Sequence, residues 1–188
     1  MQFLFDNLAA ILVLGVVGIM LVGLSLTRAE SSRDETRFYA HQTAQALFAE
    51  QVERDLTLAG IETPSGHSAI QTATADQFAF HGLVDDENGG LIEYRRIPVS
   101  TTGGVTLYRI ERWTDGSLSG ASSGSVTRFD LTPLGADGVT AVAASSARAI
   151  SADIEWALPF EEDGPGAARQ SMRRSVWSTV IRPVALQR

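Results

Sequence analysis

Three histidines, an acidic turn and a single acid near the start of the chain are the residues whose types could support chemistry. His41, His67 and His81 would suit a metal or a proton relay, but none falls in an HExxH arrangement or beside a second ligand at useful spacing. No serine sits in a G-x-S-x-G turn, and the glycines of the first thirty residues are not followed by Gly-Lys-Ser/Thr. The turn Asp85-Asp86-Glu87-Asn88-Gly89-Gly90 is dense in oxygen ligands. Counting an EF-type loop from Asp85 or Asp86 puts Arg96 or Ile97 where the bidentate glutamate belongs, so that motif fails. A looser cation-binding turn and a plain solvated hairpin turn both stay open. The chain has no cysteine, which removes thiolate metal sites, thiol nucleophiles and disulfides. These spacings give no catalytic residue, no cofactor site and no metal site, and the chain is read as a non-enzyme.

The net charge is −7, and all fifteen basic residues are arginine. An acidic chain is poorly suited to nucleic acid, and no nucleic-acid contact is expected. Trp113, Trp156 and Trp177 read most simply as core or edge aromatics of a sheet.

The elements that would position these residues begin with an apolar run. Leu8 to Thr27 is a 20-residue stretch without charge or proline, long enough as a helix to cross about 30 Å of hydrocarbon. It carries Gly15, Gly18 and Gly23, each of which weakens a helix by about 1 kcal/mol relative to alanine. They read either as ordinary membrane-helix glycines or as points where the helix loosens on leaving lipid. No basic residue precedes the run and no good cleavage site follows it, so a retained anchor is expected rather than a cleaved signal. Arg28, Arg33 and Arg37 follow it, and by local charge counting they favour a cytoplasmic C-terminal side.

The helical pattern continues past the charged segment. Phe38, Ala44, Leu47, Phe48, Val52, Leu56 and Ala59 recur at spacings of three, four and seven, which predicts one apolar stripe. Phe38, Leu47, Phe48, Val52 and Leu56 are the residues expected to pack this helix on a globular domain. Gly60 supplies a left-handed C-terminal cap. A single helix over about 6–59 is predicted, on the order of 80 Å long. From there the period changes to two. Strands are expected at 77–81, 91–97 and 105–112, with a further short strand at 126–131 and a closing hairpin of 150–160 and 171–181. Residues 114–125 are expected to be loop, and 135–147 is ambiguous. The predicted class is α+β: one long N-terminal helix, transmembrane in its first half and amphipathic in its second, packed on an antiparallel sheet. The expected divisions are 1–27, 28–60 and 61–188.

The string Val52-Glu53-Arg54-Asp55-Leu56-Thr57-Leu58-Ala59-Gly60 resembles the helix end of PilW-type minor pilins and of the J-type minor pseudopilins of type II secretion. The order that follows is similar too: Phe78 and Phe80, an acidic glycine turn, Tyr94-Arg95, and Leu107-Tyr108-Arg109. Near the end, Ile150 to Trp156, a Gly-rich turn, and Val176 to Pro183 resemble the family's closing hairpin and its basic, proline-containing tail. In that family an acid near the mature N-terminus meets the positive N-terminus of a neighbour. Asp6 stands fifth when Gln2 is counted first, so the resemblance assigns it to assembly. Its other reading is a helix-capping acid at a membrane boundary.

The resemblance implies a minor pilin-like subunit of a type IV pilus, type II secretion or DNA-uptake filament, which primes or caps it. Its partners would be other pilin-like subunits through helix packing, inner-membrane lipid before assembly, and a prepilin peptidase. It further implies a bacterial inner-membrane protein with a single pass, its C-terminal domain periplasmic or extracellular. The alternative is a membrane-anchored envelope protein with a non-catalytic β-rich binding domain.

Overall fold

The computed structural model describes residues 2–84, 88–102, 104–160 and 171–187, with side chains described for all of these except 2–13, 30, 31, 34, 102, 158–160 and 171–173. Its elements are α1 (Gln2–Thr57), β1 (Ile70–Ala73), β2 (Gln77–Leu83), β3 (Gly89–Thr102), β4 (Val105–Thr114), β5 (Ser117–Ala121), β6 (Val126–Leu134), β7 (Ala149–Phe160) and β8 (Ser171–Ile181). Two short 3-10 helices, Ala144–Ser146 and Val184–Gln187, complete it. The chain forms two compact units, Met1–Thr43 and Ala44–Arg188.

Two expectations are corrected. Among the described residues no helix is long and apolar enough to cross a membrane, so neither the transmembrane half-helix nor single-pass anchoring in an inner membrane is supported. The part of the uncharged run with described side chains is Leu14 to Thr27, and Arg28 follows it directly. Leu8 to Val13, the rest of the expected span, have side chains outside the described residues. The second correction is class. In the second unit α1 contributes only residues 44–57, and the rest is mostly β, an eight-stranded antiparallel sheet.

The sheet order is β1-β2-β3-β4-β6-β7-β8, with β5 paired to β4. Two strands arise where no strand is expected. β5 lies in the segment read as loop, and Asp115 (φ 48°) with Gly116 (φ 81°) turns the chain into it. A two-residue Asp-Gly loop with both φ positive matches the right-handed twist of the flanking strands. Asp115 also fastens this hairpin to β3, accepting from the Leu91 N–H at 2.8 Å and donating its own N–H to the Leu91 carbonyl at 2.9 Å. Gly90 lets that carboxylate approach, since a Cβ there would lie 2.6 Å from Asp115 Oδ2. β1 is the other unexpected strand, four residues paired to β2 with a register shift between Ile70 and Thr72.

The core lies between residues 44–57 of α1 and one sheet face. Val52 and Leu56 are fully buried with Phe80, Ile92, Ile110 and Ile154. The Phe48 ring meets Tyr94 edge-on at 6.4 Å and Phe129 at 6.3 Å. The helix ends at Thr57, and Gly60 (φ 85°) then donates its N–H to the His81 carbonyl at 2.7 Å. A Cβ on Gly60 would lie 3.1 Å from Leu186, so the C-terminal 3-10 helix closes over this corner.

The β6–β7 connection holds a local acid whose titration is predictable. Asp137 accepts from Thr140 Oγ1 at 2.5 Å and from the backbone N–H groups of Val139 and Thr140 at 3.0 Å each. The Thr140 hydroxyl first, then the two backbone donors, lower its pKa from 3.8 to about 2. A depressed acid stabilises the folded loop above its unfolded pKa and loses that contribution as pH falls through the folded value. The loop should therefore loosen between roughly pH 4 and pH 2. An NMR titration of the Asp137 carboxyl carbon should give the low midpoint, and Thr140→Ala should raise it. A native midpoint near 3.8 would contradict the geometry.

Candidate assembly helix

Within the first unit, the helix from Leu14 to Leu26 presents apolar side chains to solvent on every side. Leu14 is 74% exposed, Ile19 75% and Met20 65%, while Val16, Val17, Leu21, Val22, Leu24 and Leu26 are all exposed. At about 100° per residue these positions encircle the axis rather than lining one stripe. Isolated exposed apolar side chains are ordinary, but a contiguous apolar surface of this kind marks a contact site. A helix that is apolar all round is one that ends up buried all round.

The polar side chains in this stretch do not oppose burial. Ser25 Oγ donates to the Leu21 carbonyl at 2.8 Å and Thr27 Oγ1 to the Gly23 carbonyl at 3.1 Å. Both hydroxyl donors are satisfied within the helix, so covering them strands no donor. Gly15, Gly18 and Gly23 have open space where a Cβ would stand, so nothing among the described residues requires glycine there. Asp6, the expected assembly acid, has its side chain outside the described residues.

The packing residues divide. Phe48 is 7% exposed and Val52 and Leu56 are fully buried, but Leu47 is 61% exposed and does not pack on the domain. The buried stripe is Gln45, Phe48, Ala49, Val52, Asp55, Leu56 and Ala59, which turns Leu47 outward. Phe38, in the first unit, is 37% exposed and its ring stands edge-on to Tyr39 at 6.1 Å.

The residue missed in the helix is Asp55, which is completely buried. Its Oδ2 accepts from Tyr94 OH and from Arg112 Nε, both at 2.6 Å, and its Oδ1 accepts from Arg112 Nη2 at 3.2 Å. Arg112 Nη1 donates to Thr114 Oγ1 and Ser119 Oγ at 2.9 Å each. One carboxylate thus joins α1 to β3 and β4, and its guanidinium partner carries the network to β5. Burial first, then the Asp55 charge and hydrogen bond, push the Tyr94 hydroxyl well above its ordinary pKa. Burial works against the Arg112 charge, yet the hydrogen bonds and charge of Asp55 outweigh it and hold the guanidinium above its usual value. The signal was present: Asp55 stands three residues after Val52 on the apolar stripe, inside the string that carries the family resemblance.

The histidines stay apart from this network. His41 and His67 are exposed, while His81 is buried, with Gln71 Nε2 at 2.6 Å and the His67 ring edge-on at 5.8 Å. Among the described residues no three His, Cys, Asp or Glu side chains gather as a metal site. Asp85 to Glu87 of the acidic turn lie outside the described residues. No protein-family profile, curated protein or solved structure matches this chain.

Proposed function

We propose that this chain is a structural subunit of pilin-like (pseudopilin) type, which associates with other pilin-like subunits through its N-terminal helix. It would be a minor component that primes or caps a type IV pilus, type II secretion or DNA-uptake filament. The observation that carries the reading is the encircling apolar surface from Leu14 to Leu26. A stripe would be satisfied by one partner helix, whereas an encircling surface calls for neighbours on several sides, as in the core of a helical assembly. The internally satisfied hydroxyls of Ser25 and Thr27 are consistent with such burial. The second unit would then set the choice of neighbour, and no catalysis is assigned.

Ile19→Asp tests this. The full chain should lose association while its β domain stays folded. Undiminished assembly would overturn the proposal.

A further inference from the structure

The sheet ends on two very different edges. β1 is four residues long and carries a register shift. β8 is eleven residues long and pairs with β7 through eleven consecutive positions, from Ile150↔Ile181 to Phe160↔Ser171, without a bulge. Among the described residues β8 pairs with no other strand, so its second edge is an open row of backbone donors and acceptors. Proteins usually blunt such an edge with proline, a bulge, an inward charge or a short strand. From Ser175 to Ile181 β8 uses none of these: the run is uncharged, proline-free and rich in β-branched residues.

A second, independent feature coincides with that edge. Val176 is 68% exposed and Val180 50%, both on the side of β8 away from the core, and Val184 follows at 68%. We infer that β8 is a docking edge for an extended segment of another polypeptide, added to the sheet as a further antiparallel or parallel strand.

Charge identifies the occupant. Arg174 and Arg182 bracket the uncharged run, nine residues inclusive, about 27 Å apart in extended chain. The Arg174 side chain pairs with Glu155 at 3.0 Å yet remains 62% exposed, and Arg182 is exposed. β8 contains no acid, and the acids of β7 nearest to it, Glu155 and Asp153, stand opposite Val176 and Ser178, inside the run rather than at its two ends. Antiparallel pairing of two copies centred on Ser178 would set Arg174 against Arg182, and in-register parallel pairing would stack each arginine on itself; like charges in such positions are unfavourable. A segment with alternating β-branched residues between two terminal carboxylates fits instead. Main-chain bonds would supply its affinity, and Val176 and Val180 with the arginines its selectivity.

The test uses the full chain and a labelled nine-residue peptide of alternating Thr and Val with Asp at both ends, followed by fluorescence anisotropy and amide hydrogen exchange. The peptide should bind and should slow exchange in alternate β8 amides that are fast without it. A version with Lys at both ends should bind about tenfold more weakly. Of two versions N-methylated on alternate amides, one should lose binding and the other keep it, because only one set faces β8. The Val176→Ser, Val180→Ser double variant, altered only at exposed positions and unchanged in charge, should also weaken binding. No binding of the parent peptide, equal binding of both methylated versions, or alternate β8 amides already protected in the free chain by self-pairing would each overturn the inference.

Discussion

Asp55→Ala is expected to destabilise the β domain by about 3–5 kcal/mol, since breaking a buried pair leaves an uncompensated charge. That is a large share of the roughly 5–15 kcal/mol that holds a typical domain. The cause is what remains: Arg112, 5% exposed, would lose both bonds to the carboxylate, and Tyr94 OH would lose its acceptor. Asp55→Asn should cost less than alanine, because an amide oxygen still accepts one of those bonds. The double variant Asp55→Leu, Arg112→Met should recover much of the loss, since apolar replacement of a whole buried pair is often neutral or better. Guanidinium unfolding midpoints measure all three. An Asp55→Ala protein within about 0.5 kcal/mol of the parent, the range of ordinary surface changes, would show that the network does not pin the helix.

Ile19→Asp is expected to act on association and leave the fold alone. Ile19 is 75% exposed in the single chain, so an aspartate there meets water. Isoleucine and aspartate differ little in helix propensity, and the β domain should unfold at the parent's midpoint. In an assembly that covers the helix, the same carboxylate is buried without a partner at a cost of several kcal/mol. At 1.4 kcal/mol per tenfold, association should weaken by at least about a hundredfold. Sedimentation of the full chain at matched concentrations gives this directly. Equal sedimentation of parent and variant would mean that Ile19 faces no neighbour.

Much of the β architecture is legible from alternation and turns. β2, β3, β4, β7 and β8 stand where period-two runs lie between glycine-bearing turns. β1 (Ile-Gln-Thr-Ala) and β5 (Ser-Leu-Ser-Gly-Ala) are too short and polar to alternate, and only the Asp115-Gly116 turn betrays β5. Leu47 misleads because an apolar residue one position before Phe48 fits the same stripe at helical spacing, and only the packed sheet shows which side faces inward. Asp55 is missed for the opposite reason: an acid on a helix reads as solvated until Tyr94 and Arg112, thirty-nine and fifty-seven residues away, arrive beside it. The membrane expectation rests on counting Leu8 to Thr27 as one span, whereas among the described residues no helix meets the length and apolarity required. The proposed assembly role rests on the same apolar residues, taken as a surface for other helices to cover.

The absence of native cysteine makes the decisive measurement clean. Single substitutions Val16→Cys, Val17→Cys and Val22→Cys sample three directions around the helix, and each is probed with a thiol-reactive maleimide in the associated full chain. Burial by several neighbours predicts slow labelling at all three positions and fast labelling after dissociation. Fast labelling at any one of them in the associated state would leave that side of the helix bare and contradict an encircling contact.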